Sequence, residues 1–392
     1  MGFQLSHEVE RLKRSVLREL LGLAVDPDII SLAGGLPANE NMPVEQFRSC
    51  LNAVLDRDGA KAMQYSPQYA PLRNWIAEYM TKMGVACEGE QIFITNGAQQ
   101  GLAILSRLLL DPGDPAVVEE ITFTGIHQIT LGRGAALRAI PTDHSTGADM
   151  QALEAAFRQD PRPRFAVLIP DFHNPLGVSL SKEKRARAAA LAEEYGVAVI
   201  EDDPYSALRF SGDRSPPIKA FDNAGNVFYV GSFSKMLAPS IRLGWIVAAQ
   251  EMLPAITVIR ESFDLESSTL TQRAVMEFFD RDLFEPYIAN LNALNLERSS
   301  ALMGALEEHL SDVATWTRPE GGLFSWVSLH NGVDTWDMFE AALDQKVAYI
   351  PGAAFAVNGG HRNTMRLNFS NATPAMIREA IARLTSVIQA TE

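Results

Sequence analysis

Lys235 closes the run Gly231-Ser232-Phe233-Ser234-Lys235, and two other polar groups precede it at long range, Asn174-Pro175-Leu176-Gly177 and Glu201-Asp202-Asp203-Pro204-Tyr205. Each follows an apolar run of strand-like composition: Phe165 to Ile169, Val197 to Ile200 and Val227 to Val230. Residues just past the carboxyl ends of parallel strands converge on one crevice. Lys235, Asp202 and Asn174 are therefore expected to face one another. An amine can form a Schiff base, a carboxylate can keep a ring nitrogen protonated, and an amide can bond a ring oxygen. That trio suits pyridoxal phosphate. Read singly the residues say less: a lysine is ordinarily a solvated surface charge, and an aspartate before a proline ordinarily caps a turn.

Further segments extend the pattern. Asn96-Gly97-Ala98-Gln99-Gln100-Gly101 follows the strand-like Ile92 to Thr95 and opens a helix, where free amides and the helix dipole favour an anion. Leu237 to Gly244 brings Arg242, whose guanidinium suits a phosphate bidentately. Met365-Arg366-Leu367-Asn368-Phe369 puts an arginine on an apolar strand, which requires an anionic partner, either substrate or a protein carboxylate. With these motifs in this order, the chain resembles the fold-type I, pyridoxal-phosphate-dependent aminotransferases of class I/II, nearest the branch containing 2-aminoadipate aminotransferases. The likeness runs from Ile29 to the C-terminus.

The resemblance implies a role for each residue. Lys235 is the Schiff-base lysine and proton carrier, and Asp202 meets the pyridine nitrogen. Asn174 and Tyr205 bond the ring oxygen, with Asn174 also facing the substrate. Gly97, Ala98, Gln99, Ser232, Ser234 and Arg242 cup the phosphate, and Phe123 stacks on the ring, although an aromatic after a strand is usually core. Arg366 takes the α-carboxylate of the substrate, with Gly34 and Gly35 letting the backbone close over it. Tyr65 crosses a homodimer interface to the cofactor phosphate of the partner subunit. The loop is shorter than in relatives, so Tyr69 is the other candidate. Arg18 meets a distal substrate carboxylate, against the base-rate reading of a surface arginine.

Departures are visible too. Leu176 stands where the family has threonine, Ile121 where it has proline, and His173 where glutamine is common. Phe263-Asp264-Leu265-Glu266-Ser267-Ser268 lacks the histidine-threonine pair of relatives.

The elements that must position these residues follow from pattern. Glu8 to Leu23 has helical apolar spacing, Pro43 to Leu55 is a helix candidate, and Leu180 to Tyr195 is alanine-rich and helical. From Gln91 short β-rich runs alternate with helices, which predicts α/β architecture with a mostly parallel, doubly wound sheet. Ser268 to Leu310 reads as helical, followed by strands after Gly321 and at Met365 to Phe369, and by a helix from Pro374 to Ile388. The expected division is an N-terminal arm (1–45) joining the small domain, a large cofactor-binding domain (46–285) and a smaller α+β domain (286–392).

Composition narrows the field. The 392 residues are 47% hydrophobic and 21% charged, enough for a large core. With 34 Lys+Arg against 48 Asp+Glu the formal charge is −14, and no basic block stands out, which argues against nucleic acid. Cys50 and Cys87 form no metal or redox motif, and the seven histidines have no metal-ligand spacing. No transmembrane span and no metal are expected, and a cytoplasmic enzyme is. The reading is an aminotransferase moving an amino group from an α-amino acid to a 2-oxo acid through a ping-pong cycle. β-Lyases, racemases and oxidases use the same residues and remain open, as does a non-catalytic sensor. Regulators carrying a DNA-binding region are disfavoured, because no helix-turn-helix segment precedes the arm.

Overall fold

The computed structural model describes residues 4–12, 20, 22, 26, 28–330 and 332–391. At its centre is a seven-stranded sheet. Across it lie Ile92–Thr95, Gly244–Val247, Val227–Ser232, Ala198–Asp203, Phe165–Leu168, Pro115–Glu119 and Ala136–Ile140. Gly244–Val247 runs antiparallel to both neighbours, and the other pairings are parallel. Successive side chains of a strand point to opposite faces, and the cores follow that alternation. Val118, Val167, Ile200 and Val230 pack under the helices Ala98–Leu109, Thr124–Gly132 and Leu253–Glu261. Val117, Ala166, Val199 and Val227 pack under Met150–Phe157 and Lys182–Tyr195. Strands buried on both faces read as continuous apolar runs, which is why they stand out in the sequence.

Two strands continue past their apolar runs. Ala198–Asp203 takes in three carboxylates, and Val227–Ser232 takes in a glycine and a serine. Asp202 therefore sits inside its strand rather than beyond it. The extension is tolerated because the flanking carboxylates are satisfied. Glu201 accepts from the backbone N–H groups of Ile218 (2.7 Å) and Lys219 (2.9 Å), and Asp203 from Ser206 N–H and Tyr229 Oη, both 2.8 Å.

A second, four-stranded antiparallel sheet runs Ala314–Trp316, Phe324–Leu329, Thr364–Asn368, Ile350–Pro351. Val327, Met365 and Leu367 share a core with Leu302 and Leu306 of the helix Phe284–Leu310 and Ile381 and Leu384 of Pro374–Thr391. The helical stretch expected over Ser268 to Leu310 is two helices, Thr269–Asp280 and Phe284–Leu310. They part at Asp282, whose φ is +54°. The second begins in the core of the large sheet, through Phe284 and Ile288, and ends in that of the small one.

Ile30–Ser31 pairs in parallel with Val347–Ala348, so Leu32 and Ala33 enter the small core and the next residues run toward the crevice. An N-terminal helix, His7–Arg11, is capped by Ser6 and ends at Leu12, whose backbone is extended, so the helix expected over Glu8 to Leu23 is interrupted there. Arg18 lies outside the described residues.

Candidate active site

The two sheets enclose a cavity of about 560 Å³ at the carboxyl ends of the central strands, lined by Asp202, Tyr205, Asn174, Lys235, Arg242 and Arg366, among others. Lys235 lies in the short helix Phe233–Met236, which Ser232 starts by accepting from Ser234 N–H at 3.1 Å. Its Nζ donates to the carbonyl of Gly35 at 2.6 Å. Burial lowers the amine to about 8, and the positive charges of Arg366 and Arg242 act in the same direction.

Asp202 is buried, and its Oδ1 has no hydrogen-bond partner among the described residues. Burial raises the carboxyl to about 7, with the charges of Asp203 and Glu119 adding to it. A buried carboxylate oxygen without a donor is costly. The N–H of a protonated pyridine ring would satisfy it. Nearby, Asn174 Nδ2 donates to Tyr205 Oη at 3.2 Å, while Asn174 Oδ1 accepts from Arg366 Nη1 at 2.8 Å. Tyr205 is pushed above the ordinary phenol range by burial, so at neutral pH it is a donor.

Arg366 stands between the rings of Phe324 and Phe355, 4.3 and 4.9 Å from their centroids. Nη2 donates to the carbonyl of Ala33 at 2.5 Å, and the buried Nε has no partner among the described residues. Burial lowers the guanidinium to about 10, which still leaves it charged at neutral pH. Among the described residues its bonds go to the Asn174 amide and the Ala33 carbonyl, and none pairs it with a carboxylate.

The anion cup is assembled from three segments. Gly97 starts the helix Ala98–Leu109 at φ +84°, and a Cβ there would lie 2.6 Å from Arg242 Nη2. That dihedral favours glycine, and a side chain there would also push Arg242 from its place. Gly97 itself does not line the cavity, whereas Ala98, Gln99, Ser232, Ser234 and Arg242 do. Arg242 donates to the carbonyl of Asn96 (2.9 Å) and to Ser234 Oγ (3.3 Å). Phe123 also lines the cavity, with Gly125 against its ring. Donors on a helix start, two hydroxyls, an arginine, an aromatic face, a half-buried lysine and a buried carboxylate together fit pyridoxal phosphate.

Two expected contacts lie outside this cluster. Tyr65 is 78% exposed and does not line the cavity. Tyr69 is engaged internally: its N–H donates to Gln272 Oε1 at 2.8 Å, and Arg273 lies 4.5 Å over its ring. Of the two tyrosines, Tyr65 is the more exposed.

Other residues escaped the sequence reading. Leu36, Thr124 and Gln128 line the cavity but carry no motif. His173 Nε2 lies 3.1 Å from Glu119 Oε2, both fully buried, directly before Asn174. Glu119 closes an apolar strand as Asp202 nearly does, and that signal could have singled it out. Leu176 is buried, and its carbonyl accepts from Thr317 Oγ1 at 2.6 Å, so the backbone, not a side-chain hydroxyl, joins this loop to the small sheet.

Comparison with known proteins follows the same lines. The family profile of class I and II aminotransferases matches residues 27–384. The aromatic-amino-acid aminotransferase 1 of Thermococcus litoralis is 37% identical, covering 96% of this chain and 92% of that one. The structure of Pyrococcus horikoshii kynurenine aminotransferase superposes with TM-score 0.93 at 36% identity, over 98% of this chain and 97% of that one. The α-aminoadipate aminotransferase of Thermus thermophilus, complexed with N-(5'-phosphopyridoxyl)-L-leucine, superposes with TM-score 0.90 at 33% identity, over 99% and 97%.

Proposed function

The chain belongs to the class I and II aminotransferase family, and from that premise we propose how its residues divide the work. The protein is a pyridoxal-phosphate-dependent aminotransferase that moves the amino group of an α-amino acid to a 2-oxo acid. Bound pyridoxal phosphate supplies a carbonyl carbon for the amine and an electron sink for the charge left on the substrate Cα. Lys235 holds the cofactor covalently and then takes the proton from Cα, a task suited to an amine lowered toward neutrality by burial. Asp202 keeps the ring nitrogen protonated. Asn174 and Tyr205 donate to the ring oxygen. Ala98, Gln99, Ser232, Ser234 and Arg242 hold the phosphate, Gly97 makes room for Arg242, and Phe123 covers the ring. Arg366 fixes the α-carboxylate, with Gly35 and Asn174 at its side.

One observation carries this assignment. A half-buried amine, a buried carboxylate and a buried guanidinium line one cavity, the last two each with an atom that meets no partner among the described residues. The test is to mix the purified protein with a panel of amino acids and follow the absorbance of the bound cofactor. Conversion to the pyridoxamine form, reversed by a 2-oxo acid, is expected. A cofactor unchanged by every donor would overturn the assignment.

Substrate scope and assembly belong to the same proposal. Several α-amino acids serve as donors, with 2-oxoglutarate or pyruvate as acceptor. Relatives whose names carry aromatic amino acids, kynurenine and α-aminoadipate support that breadth. Arg18 selects for a distal carboxylate. The protein is a homodimer in which Tyr65 reaches the phosphate of the partner subunit. In support, Tyr65 and Met63 are exposed beside a segment exposing Phe263 and Leu265, the two joined by Ser66 N–H donating to Glu266 Oε1 at 2.8 Å. The division is placed near 45 and 285, with the first turns of the helix Phe284–Leu310 still packed in the large core. A cytoplasmic setting suits the two unpaired cysteines.

A further inference from the structure

Asp264 lies in the segment that departs from its relatives, 168 positions from Asn96, yet the two side chains meet. Asp264 Oδ2 accepts from Asn96 Nδ2 at 2.6 Å and from Gln100 Nε2 at 3.0 Å. Its other oxygen pairs with Arg260 Nε. Arg260 is buried, and its Nη1 and Nη2 donate to the carbonyl of Ile94 and to Ser267 Oγ, both at 3.2 Å. Asn96 is thus held at three polar positions. Its carbonyl accepts from Arg242, its N–H donates to Gln100 Oε1 at 2.8 Å, and its side chain donates to Asp264. Asn96 is the residue before Gly97, where the anion cup begins, and Arg242 is one of the cup's own donors.

The same region grips the Tyr65 loop. Ser66 is held by Glu266 and by Thr269 Oγ1 (3.2 Å), Tyr69 by Gln272, and Gln68 pairs with both backbone groups of Ile94. None of these residues lines the cavity. We propose that Asp264 is a positioning residue for the phosphate: held by Arg260, it fixes the side chains of Asn96 and Gln100 and so sets the start of the helix and the seat of Arg242. An unbraced cup would have to be ordered when the anion arrives, which lowers affinity.

This inference rests on reading the cup as a phosphate site, and the test separates the two. The cofactor-free protein and its Asp264→Ala and Asp264→Asn variants are titrated with pyridoxal phosphate and with pyridoxal, which lacks the phosphate. Asp264→Asn keeps the volume if Asp264→Ala does not fold. Asp264→Ala is expected to weaken pyridoxal phosphate by roughly tenfold, the effect of losing one hydrogen bond to a charged group, and to leave pyridoxal unchanged. Asp264→Asn should shift the same ratio in the same direction by less, since its amide can accept only from one side. Equal weakening of both ligands, or none, overturns the positioning role. A parent protein that binds pyridoxal as tightly as its phosphate overturns the cup itself.

Discussion

The two walls of the cavity are built by different means. One wall consists of neighbouring strand ends, Asp202 on one and Ser232 leading to Lys235 on the next, and short-range bonds hold it: Ser232 to Ser234, Asp203 to Ser206. The other wall is Arg366 and the strap at Ala33 to Gly35. Its bonds join distant parts of the chain, with separations of 192 residues to Asn174, 333 to Ala33 and 200 from Lys235 to Gly35. The first wall is set once the large sheet has formed. The second exists only when the small sheet, the strap and the Asn174 loop have all docked. On the proposed roles, chemistry common to all substrates would sit on the first wall and the recognition of substrate on the second.

Variants can break this comparison, starting with the cofactor wall. Lys235→Ala should lower turnover by ~1000-fold or more, as expected on removing a covalent and proton-transferring group, and borohydride reduction of the parent should fix the cofactor to Lys235. Near-normal turnover, or labelling of another lysine, would contradict the assignment. Asp202→Asn should slow Cα proton removal by roughly 100-fold, about 2.7 kcal/mol of barrier, read in single turnovers; cofactor affinity should fall less.

Asp202 also has a stability signature. Its folded-state value of about 7 lies above the ordinary 3.8, so between those values the folded chain holds a proton that the unfolded chain releases. That contribution is full below the lower value and is lost as pH rises through the upper. Cofactor-free Asp202→Asn should therefore melt a few degrees above the parent at pH 8, with the gap closing toward pH 4. A gap independent of pH would mean that Asp202 is not the group titrating.

On the other wall, Arg366→Ala should reduce kcat/KM by roughly 10–100-fold for every donor alike, the value of a charge-assisted bond to a carboxylate. A loss confined to acidic donors would place Arg366 at the distal end instead. The smallest effect is expected outside both walls. Tyr65→Phe should weaken cofactor binding a few-fold, and Tyr69→Phe should not weaken it, since Tyr69 uses its backbone and ring face. The reverse order would exchange the two tyrosines. Arg18→Ala should raise KM for acidic donors and spare neutral ones.

What the sequence disclosed follows the same division. Lys235, Asp202 and Asn174 were legible because each follows an apolar strand, and parallel topology alone brings such positions together. Arg366 was legible as a charge on an apolar strand. Its bonds to Ala33 and Asn174 were not, because no local pattern records which loop lies opposite. The burial of Asp202 within its strand was hidden for a related reason: three carboxylates in a row look like a surface turn until their backbone donors are known. Asp264 was hidden because its bonds to Asn96 and Gln100 span more than 160 residues and leave no local spacing.

The bonds from Lys235 and Arg366 to the strap have one more consequence. Both cations already spend a donor on the main chain, at Gly35 and Ala33. A ligand that claims those donors displaces the carbonyls, which must turn to water or to the ligand itself. Association is then an exchange of partners, and its heat reflects a difference between two bonded states. Calorimetry on this protein should accordingly find a smaller enthalpy than the contacts of the loaded site would suggest, and a variant with a loosened strap should bind with a larger one.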